Sequence, residues 1–216
     1  AVLAVGCGSS KSALDTIKEK GTLVWGTNAA FPPFESKDGD GNVVGVDAEI
    51  AKAIADELGV KLVVEDMEFD SLPAALKSGK IDIIGAGYTE NDERLQEMDF
   101  SSKYFTAKQI VVVKKGNKAI TDKDSLAGKK IGVQTGTTGD IYCTGDYGQE
   151  HVKQFNNGPL AVAALVNDQI DCVVIDQEPA KNYVAANSGL KILDTAYADE
   201  DYAIAIKKGN TELKDK

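Results

Sequence analysis

The chain has 216 residues, enough for one large domain or two of about 100 residues each. Hydrophobic residues make up 43% and charged residues 27%, and no apolar run approaches the roughly 20 residues that a membrane-spanning helix needs. The formal charge of -10, from 34 acidic and 24 basic side chains with no basic block, disfavours a nucleic-acid partner, because phosphates would be repelled.

The first ten residues, Ala1 to Ser10, are small and apolar up to Cys7 and then turn polar. They resemble the end of a bacterial lipoprotein signal, in which the cysteine becomes the lipid-bearing residue and a small residue such as Gly6 precedes it. The bland alternative is a frayed apolar tail. The lipid reading implies work outside the cytoplasm, attached to a membrane only through the anchor, where thiols can oxidise. Cys143 and Cys172 then form an even pair that is either a disulfide or two buried free thiols.

From Ser12 helix and strand signals alternate. Ser12 with Asp15 suggests a capping box, Leu14 and Ile17 an apolar helix face, and Gly21 a stop. A strand is expected at 23–27 and a polar turn at 38–42. Ile50, Ile54 and Leu58 recur at helical spacing before Gly59, and a strand follows at 62–64. The next helix starts near Asp70 or Ser71, tolerates Pro73 in its first turn and ends at Gly79, ahead of a strand at 81–84. Such alternation is the pattern of a parallel sheet with helices on its faces.

The second half repeats part of the first. Ala74-Ala75-Leu76 precedes Ile81-Asp82 at the spacing with which Ala163-Ala164-Leu165 precedes Ile170-Asp171, and the openings 23–27 and 131–135 are also alike. Two similar α/β lobes are therefore expected. The first takes residues 12–104 and 203–216 and the second 109–197, with hinge crossings at 105–108 and 198–202 and residues 1–11 as an N-terminal tail.

Arg94 is the only arginine; every other fixed cation is a lysine. A guanidinium offers a planar fork of donors matched to a carboxylate, and it keeps its charge when buried. Arg94 also follows the 81–84 strand, at the carboxyl end where open α/β sheets bind ligands. On its own it reads better as a surface partner of Glu90 or Glu93.

Its context is more specific. Gly85-Ala86-Gly87-Tyr88-Thr89-Glu90-Asn91-Asp92-Glu93-Arg94, then Met98-Asp99-Phe100-Ser101, together with Gly26-Thr27-Asn28-Ala29-Ala30-Phe31-Pro32-Pro33-Phe34-Glu35, Gly45-Val46-Asp47-Ala48-Glu49-Ile50 and Gly136-Thr137-Thr138-Gly139, resemble the amino-acid-binding proteins of ABC importers, the solute-binding proteins of family 3. Val46 and Ala48 depart from the bulkier residues of the family signature. The resemblance implies a two-lobed, type II periplasmic-binding-protein fold in which each lobe is a mixed sheet flanked by helices. It also implies a monomer that closes around a free amino acid and presents it to the membrane subunits of an ABC permease, with no cofactor and no metal.

Carried onto this sequence, the resemblance makes Arg94 the grip on the ligand carboxylate, with the Thr89 hydroxyl and the backbone of Thr137 and Thr138. Gly136 to Gly139 suits an anion independently, since it lies between a strand and a predicted helix, where free N–H groups gather. It lacks the Lys-Ser/Thr that completes a phosphate loop. The ligand ammonium falls to Asp176 and acceptors around Gly87, although a lone aspartate there also reads as a helix cap. Phe31 and Phe69 resemble the aromatics that sandwich the ligand side chain. Asn28 and Gln134, neutral amides where relatives place charged residues, suggest a polar uncharged ligand, while Glu35 or Asp70 offers an acid for a cationic one.

Other readings carry less. A dehydratase-like enzyme on the same fold lacks support in the motifs, with His151 the only histidine, and a sensory ligand-binding domain lacks an appended module. Asp38, Asp40, Asn42 and Glu49 mimic a calcium loop, but Val43 stands at the required glycine and a hairpin turn fits better. The family normally adds further helix after a segment like Gly209–Leu213, whereas this sequence stops at Lys216.

Overall fold

The computed structural model describes residues 11–216, so Cys7 lies outside the described residues. Ser12 accepts the Asp15 N–H at 3.2 Å and caps α1 (Ala13–Lys20). After β1 (Thr22–Thr27) comes a small antiparallel ribbon of β2 (Ala30–Phe31), β3 (Glu35–Lys37) and β4 (Val43–Val44). Its turn is closed by Asp38, whose carboxylate accepts the N–H groups of Asp40 and Asn42, both at 2.9 Å. The pass continues through α2 (Val46–Leu58), β5 (Lys61–Asp66), α3 (Leu72–Ser78), β6 (Ile83–Ile84), α4 (Asp92–Glu97) and β7 (Met98–Phe100). β8 (Phe105–Lys114) then leads to β9 (Ile131–Gln134), α5 (Thr138–Tyr147), β10 (Val152–Phe155), α6 (Gly158–Val166), β11 (Cys172–Asp176) and α7 (Gln177–Ala186). β12 (Leu190–Tyr202), β13 (Ala205–Lys207) and α8 (Thr211–Lys214) bring the chain back.

These elements form two mixed five-stranded sheets, β5-β1-β6-β13-β7 and β10-β9-β11-β8-β12. Apolar clusters cover both faces of each, which is why the central strands read as continuous hydrophobic runs. The crossings between lobes are themselves strand: β8 and β12 pair antiparallel along their length, with Phe105 opposite Tyr202 and Lys108 opposite Asp199. Trp25 is core, its indole N–H donating to the Gly85 carbonyl at 2.8 Å. Cys143 and Cys172 are both free and buried in one cluster behind β9 and β11. Burial pushes the Cys143 thiol up to about 12 and raises Cys172 as well, which keeps both unreactive.

The repeat has a structural basis. Asp82 returns its carboxylate to the Val24 N–H at 2.8 Å while its own N–H reaches the Val24 carbonyl at 2.8 Å. Asp171 makes the same two bonds to Lys130, each at 2.8 Å. The preceding isoleucines match too, since a Cβ on Gly26 would lie 2.3 Å from Ile81 Cδ1, and one on Gly132 would lie 2.4 Å from Ile170 Cδ1. Strand pairing sets Trp25 opposite Ile83 and Ile131 opposite Cys172. Trp25, not Leu23, is therefore the counterpart of Ile131, two residues along from the alignment expected from apolar residues alone.

Gly132→Ala is expected to destabilise the protein by about 1–3 kcal/mol through overpacking. Adding Ile170→Val, which removes the clashing methyl, should recover most of that loss in urea unfolding; no recovery would show that the contact does not carry the repeat.

Candidate functional site

The carboxyl ends of β1, β6, β9 and β11 face one another across the gap between the lobes. There they line a narrow cavity of about 20 Å³, room for little more than a water molecule. All ten residues singled out in the sequence as ligand contacts line it. Asn28, Phe31, Phe69, Gly87, Thr89 and Arg94 come from the first lobe, and Gln134, Thr137, Thr138 and Asp176 from the second. Glu35 and Ala86 complete the lining.

Arg94 is buried rather than a surface partner of Glu90 or Glu93. Asn91 caps α4 by accepting the Arg94 N–H at 2.8 Å, which turns the side chain toward the gap. Nη1 donates to the Thr89 carbonyl at 2.7 Å and Nη2 to the Gly136 carbonyl of the other lobe at 3.1 Å. The guanidinium carbon stands 4.0 Å from the Tyr88 ring centroid and 5.7 Å from that of Phe69. Carbonyl dipoles and ring faces hold the cation in place, and no carboxylate among the described residues forms an ion pair with it.

Asp176 occupies the N-cap position of α7, yet its side chain makes no capping bond. It accepts the Gln109 amide at 2.8 Å and the Tyr202 hydroxyl instead. Burial, and after it the nearby Glu200, push its carboxyl up to about 7. Glu200 accepts the same Gln109 amide at 3.2 Å and the Thr89 hydroxyl at 3.0 Å, while its Oε1 is buried without a partner. The Thr89 hydroxyl expected on the ligand carboxylate is thus directed at Glu200.

On the first-lobe wall, Glu35 and Asp47 are both buried. Asp47 accepts the Gly87 N–H at 2.7 Å and the Tyr104 hydroxyl at 2.7 Å. Gly87 has φ of 53°, and a Cβ there would lie 2.7 Å from Phe31 Cε1, so this backbone sits against the aromatic wall only as glycine. Asn28 and Gln134 are bound to each other, the Gln134 amide donating to Asn28 Oδ1 at 2.9 Å. Asn28 also donates to the Met67 carbonyl at 2.8 Å. On the second lobe, Thr137 caps α5 by accepting the Asp140 N–H at 3.3 Å, and Thr138 opens the helix, where amides lack intrahelical acceptors.

Asp47, Gln109 and Glu200 went unassigned in the sequence. Gln109 carried the best signal, a polar residue directly before the apolar run 110–113, whereas Glu200 is hidden between Asp199 and Asp201 inside the predicted crossing 198–202.

Two α/β lobes joined by two strands, with a charged cavity between strand ends, define a two-lobed ligand-binding protein of type II architecture. Residues 23–216 match the bacterial extracellular solute-binding proteins, family 3, and the chain belongs to that family. The arginine-binding extracellular protein ArtP of Bacillus subtilis is 38% identical over 216 residues, covering 97% of this chain and 82% of that protein. The arginine-bound form of truncated ArgBP from T. maritima superposes with a TM-score of 0.88 at 40% identity, covering 93% of this chain and 95% of that one. An ancestral arginine-binding protein, 45% identical, has been solved with glutamine (TM-score 0.85) and with arginine (0.84), each comparison covering 90% of this chain and 88% of that one. The chain is an amino-acid-binding protein of ABC import, not an enzyme.

The raised Asp176 carboxyl has a consequence for stability. Between its ordinary value of 3.8 and about 7 the folded state holds a proton that the unfolded state has lost, so this group's contribution falls as pH rises through that window. Without ligand, Asp176→Asn is expected to exceed the parent in stability at pH 8, by on the order of a few kcal/mol, and to lose that advantage near pH 4. Urea midpoints at the two pH values measure it; an advantage independent of pH would remove Asp176 as the source.

Proposed function

We propose that this chain captures a free amino acid with a cationic side chain, arginine foremost, outside the cytoplasm and delivers it to the membrane subunits of an ABC permease. Arg94 takes the α-carboxylate together with the backbone of Thr137 and Thr138. Asp176 and the carbonyl side of Gly87 take the α-ammonium. The rings of Phe31 and Phe69 flank the side chain, and Glu35 receives its distal charge.

The observation that carries the ligand class is Glu35, a buried carboxylate on the cavity wall whose Oε2 has no hydrogen-bond partner. A buried acceptor left unpaired is costly, and a guanidinium supplies paired N–H donors and the opposite charge. The uncharged ligand expected from Asn28 and Gln134 loses ground, because those amides spend their hydrogen bonds on each other and on Met67. The arginine-binding relatives support the cationic reading, and the ancestral relative solved with both ligands supports glutamine as a neutral second ligand.

Capture is a hinge closure about the paired segments 105–108 and 198–202, the behaviour known of periplasmic binding proteins as a class. Contacts across the gap favour the closed state, among them Arg94 to Gly136, Asn28 to Gln134 and the Asn156 amide to Glu68 at 3.3 Å. The protein acts as a monomer, and the Ala-Val-Gly-Cys run supports a lipid anchor on Cys7.

A thermal-shift screen across the amino acids tests the ligand class. Arginine at about 100 times its dissociation constant should add roughly 2.7 kcal/mol of stability, and a response confined to uncharged amino acids would reject the cationic reading. Arg94→Ala should cost about 2–5 kcal/mol in binding, and Arg94→Lys should restore little of it. Unchanged affinity by calorimetry in either variant would retire Arg94 as the carboxylate grip.

A further inference from the structure

Glu35 opens β3 with 1% of its surface exposed, on the wall of the cavity between the lobes. Asp47, in the first turn of α2, donates its N–H to the carbonyl of Phe34, the residue before Glu35, at 2.9 Å, so two buried carboxylates share one corner. Their surroundings differ. Asp47 accepts two donors, the Gly87 N–H and the Tyr104 hydroxyl, each at 2.7 Å, and such bonds favour the ionised form. Glu35 Oε2 accepts none. Two like charges sharing a buried corner repel strongly out of water, so a proton resides on the carboxyl with the poorer hydrogen-bond support. That carboxyl is Glu35, whose unpartnered Oε2 is left to face a ligand.

We propose that Glu35 determines side-chain specificity by changing its protonation state with the ligand: it keeps its proton against an uncharged amide and releases it to solvent when a guanidinium enters. In the second case the Glu35 O–H bond breaks, the proton passes to a buffer base, and the guanidinium charge replaces it. The buried corner then carries the same net charge in both complexes, and each ligand finds its Glu35 oxygens as acceptors. The inference rests on the reading that Glu35 lies at the side-chain end of the bound amino acid.

The neighbouring groups act in one direction. Burial first and Asp47 second hold the Glu35 carboxyl well above its usual range, with Asp176 at the start of α7 and Asp66 at the end of β5 adding to the effect. The phenols of Tyr183 on α7, Tyr104 before β8 and Tyr202 on β12 also face this region, and all three are held neutral by burial. Cations on adjoining elements are engaged elsewhere, Arg94 with the carbonyls of Thr89 and Gly136, and Lys37 with Asp66 at 2.8 Å. A folded carboxyl that binds its proton this tightly gives it up only to a competing positive charge, so arginine affinity must rise with pH up to the point where Glu35 ionises unaided.

Calorimetry with arginine and with citrulline, its uncharged isostere, on the full chain between pH 5 and pH 8 tests this, using buffers of low and high ionisation heat to count protons. Both ligands bring the same α-ammonium, so any proton displaced from Asp176 is common to the two titrations and the difference between them isolates the side chain. The expected result is close to one more proton released by arginine than by citrulline. Relative to citrulline, arginine should gain up to tenfold in affinity per pH unit over that range. In Glu35→Gln the difference in release should vanish and the preference for arginine should fall at least tenfold. Arginine binding with no extra proton released, or with a release that survives Glu35→Gln, overturns the inference while leaving the ligand reading standing. Binding of glutamine or citrulline with no response to any cationic amino acid overturns both.

Discussion

Six charged side chains are buried among the described residues, Glu35, Asp47, Arg94, Asp140, Asp176 and Glu200, and none of them sits in an ion pair. Removing charges from water without partners costs several kcal/mol apiece unless hydrogen bonds or bound protons offset it. Asp140 has three donors, the Gly136 N–H at 2.9 Å, Gln154 at 2.7 Å and Thr144 at 3.3 Å, whereas Glu35 and Glu200 each keep a buried oxygen without a partner. Glu35, Asp176 and Arg94 line one cavity, and Asp47 and Glu200 bind its lining residues Gly87 and Thr89, with the single guanidinium set apart from the carboxylates. A zwitterion has the charge distribution that neutralises both kinds of group at once, and a zwitterion with a positive side chain also answers the surplus of acid. The rest of the architecture can be understood as a frame that keeps these charges apart and dry.

Duplication builds that frame. Each lobe places a strand end at the gap, secured by an aspartate that ties its own strand to the neighbouring one, Asp82 in one lobe and Asp171 in the other. Because Trp25 corresponds to Ile131, Asn28 and Gln134 are equivalent positions three residues further along. They meet across the gap as a hydrogen-bonded pair. The repeat therefore brings like positions face to face. The lobes diverge in the elements C-terminal to that pair, where one supplies the α4 arginine and the other supplies the start of α5 together with Asp176.

Much of this was legible in the sequence because it depends on local signals. Caps, stops and the doubled Ala-Ala-Leu segment predicted both lobes, and a single arginine among lysines directed attention to the gap. What escaped was set by contacts between residues far apart in the chain. Asn28 and Gln134 read as ligand selectors, since nothing local reveals that they satisfy one another across 106 positions. Asp176 read equally as a cap, and only Gln109 and Tyr202, arriving from the crossing strands, show why its side chain turns away from α7. Apolar similarity also placed the two openings two residues out of step, because hydrophobic strands look alike at any register and pairing with β6 and β11 decides it.

In the proposed mechanism the place of Gln109, Glu200 and Tyr202 couples charge recognition to lobe movement. All three belong to β8 and β12, the strands that cross between lobes, and all three bind either Asp176 or the Thr89 hydroxyl of the first lobe. In the proposed closure a rotation about these strands must shift Thr89 relative to Glu200, and with it the Gln109 amide that Asp176 and Glu200 share. A ligand ammonium at Asp176 favours the ionised carboxylate and so strengthens the Gln109 and Tyr202 bonds that brace it. Those bonds hold the crossing strands in the arrangement in which Thr89 reaches Glu200. The ligand thus makes contacts that differ between the two arrangements, which is the only way that binding can bias an equilibrium between them.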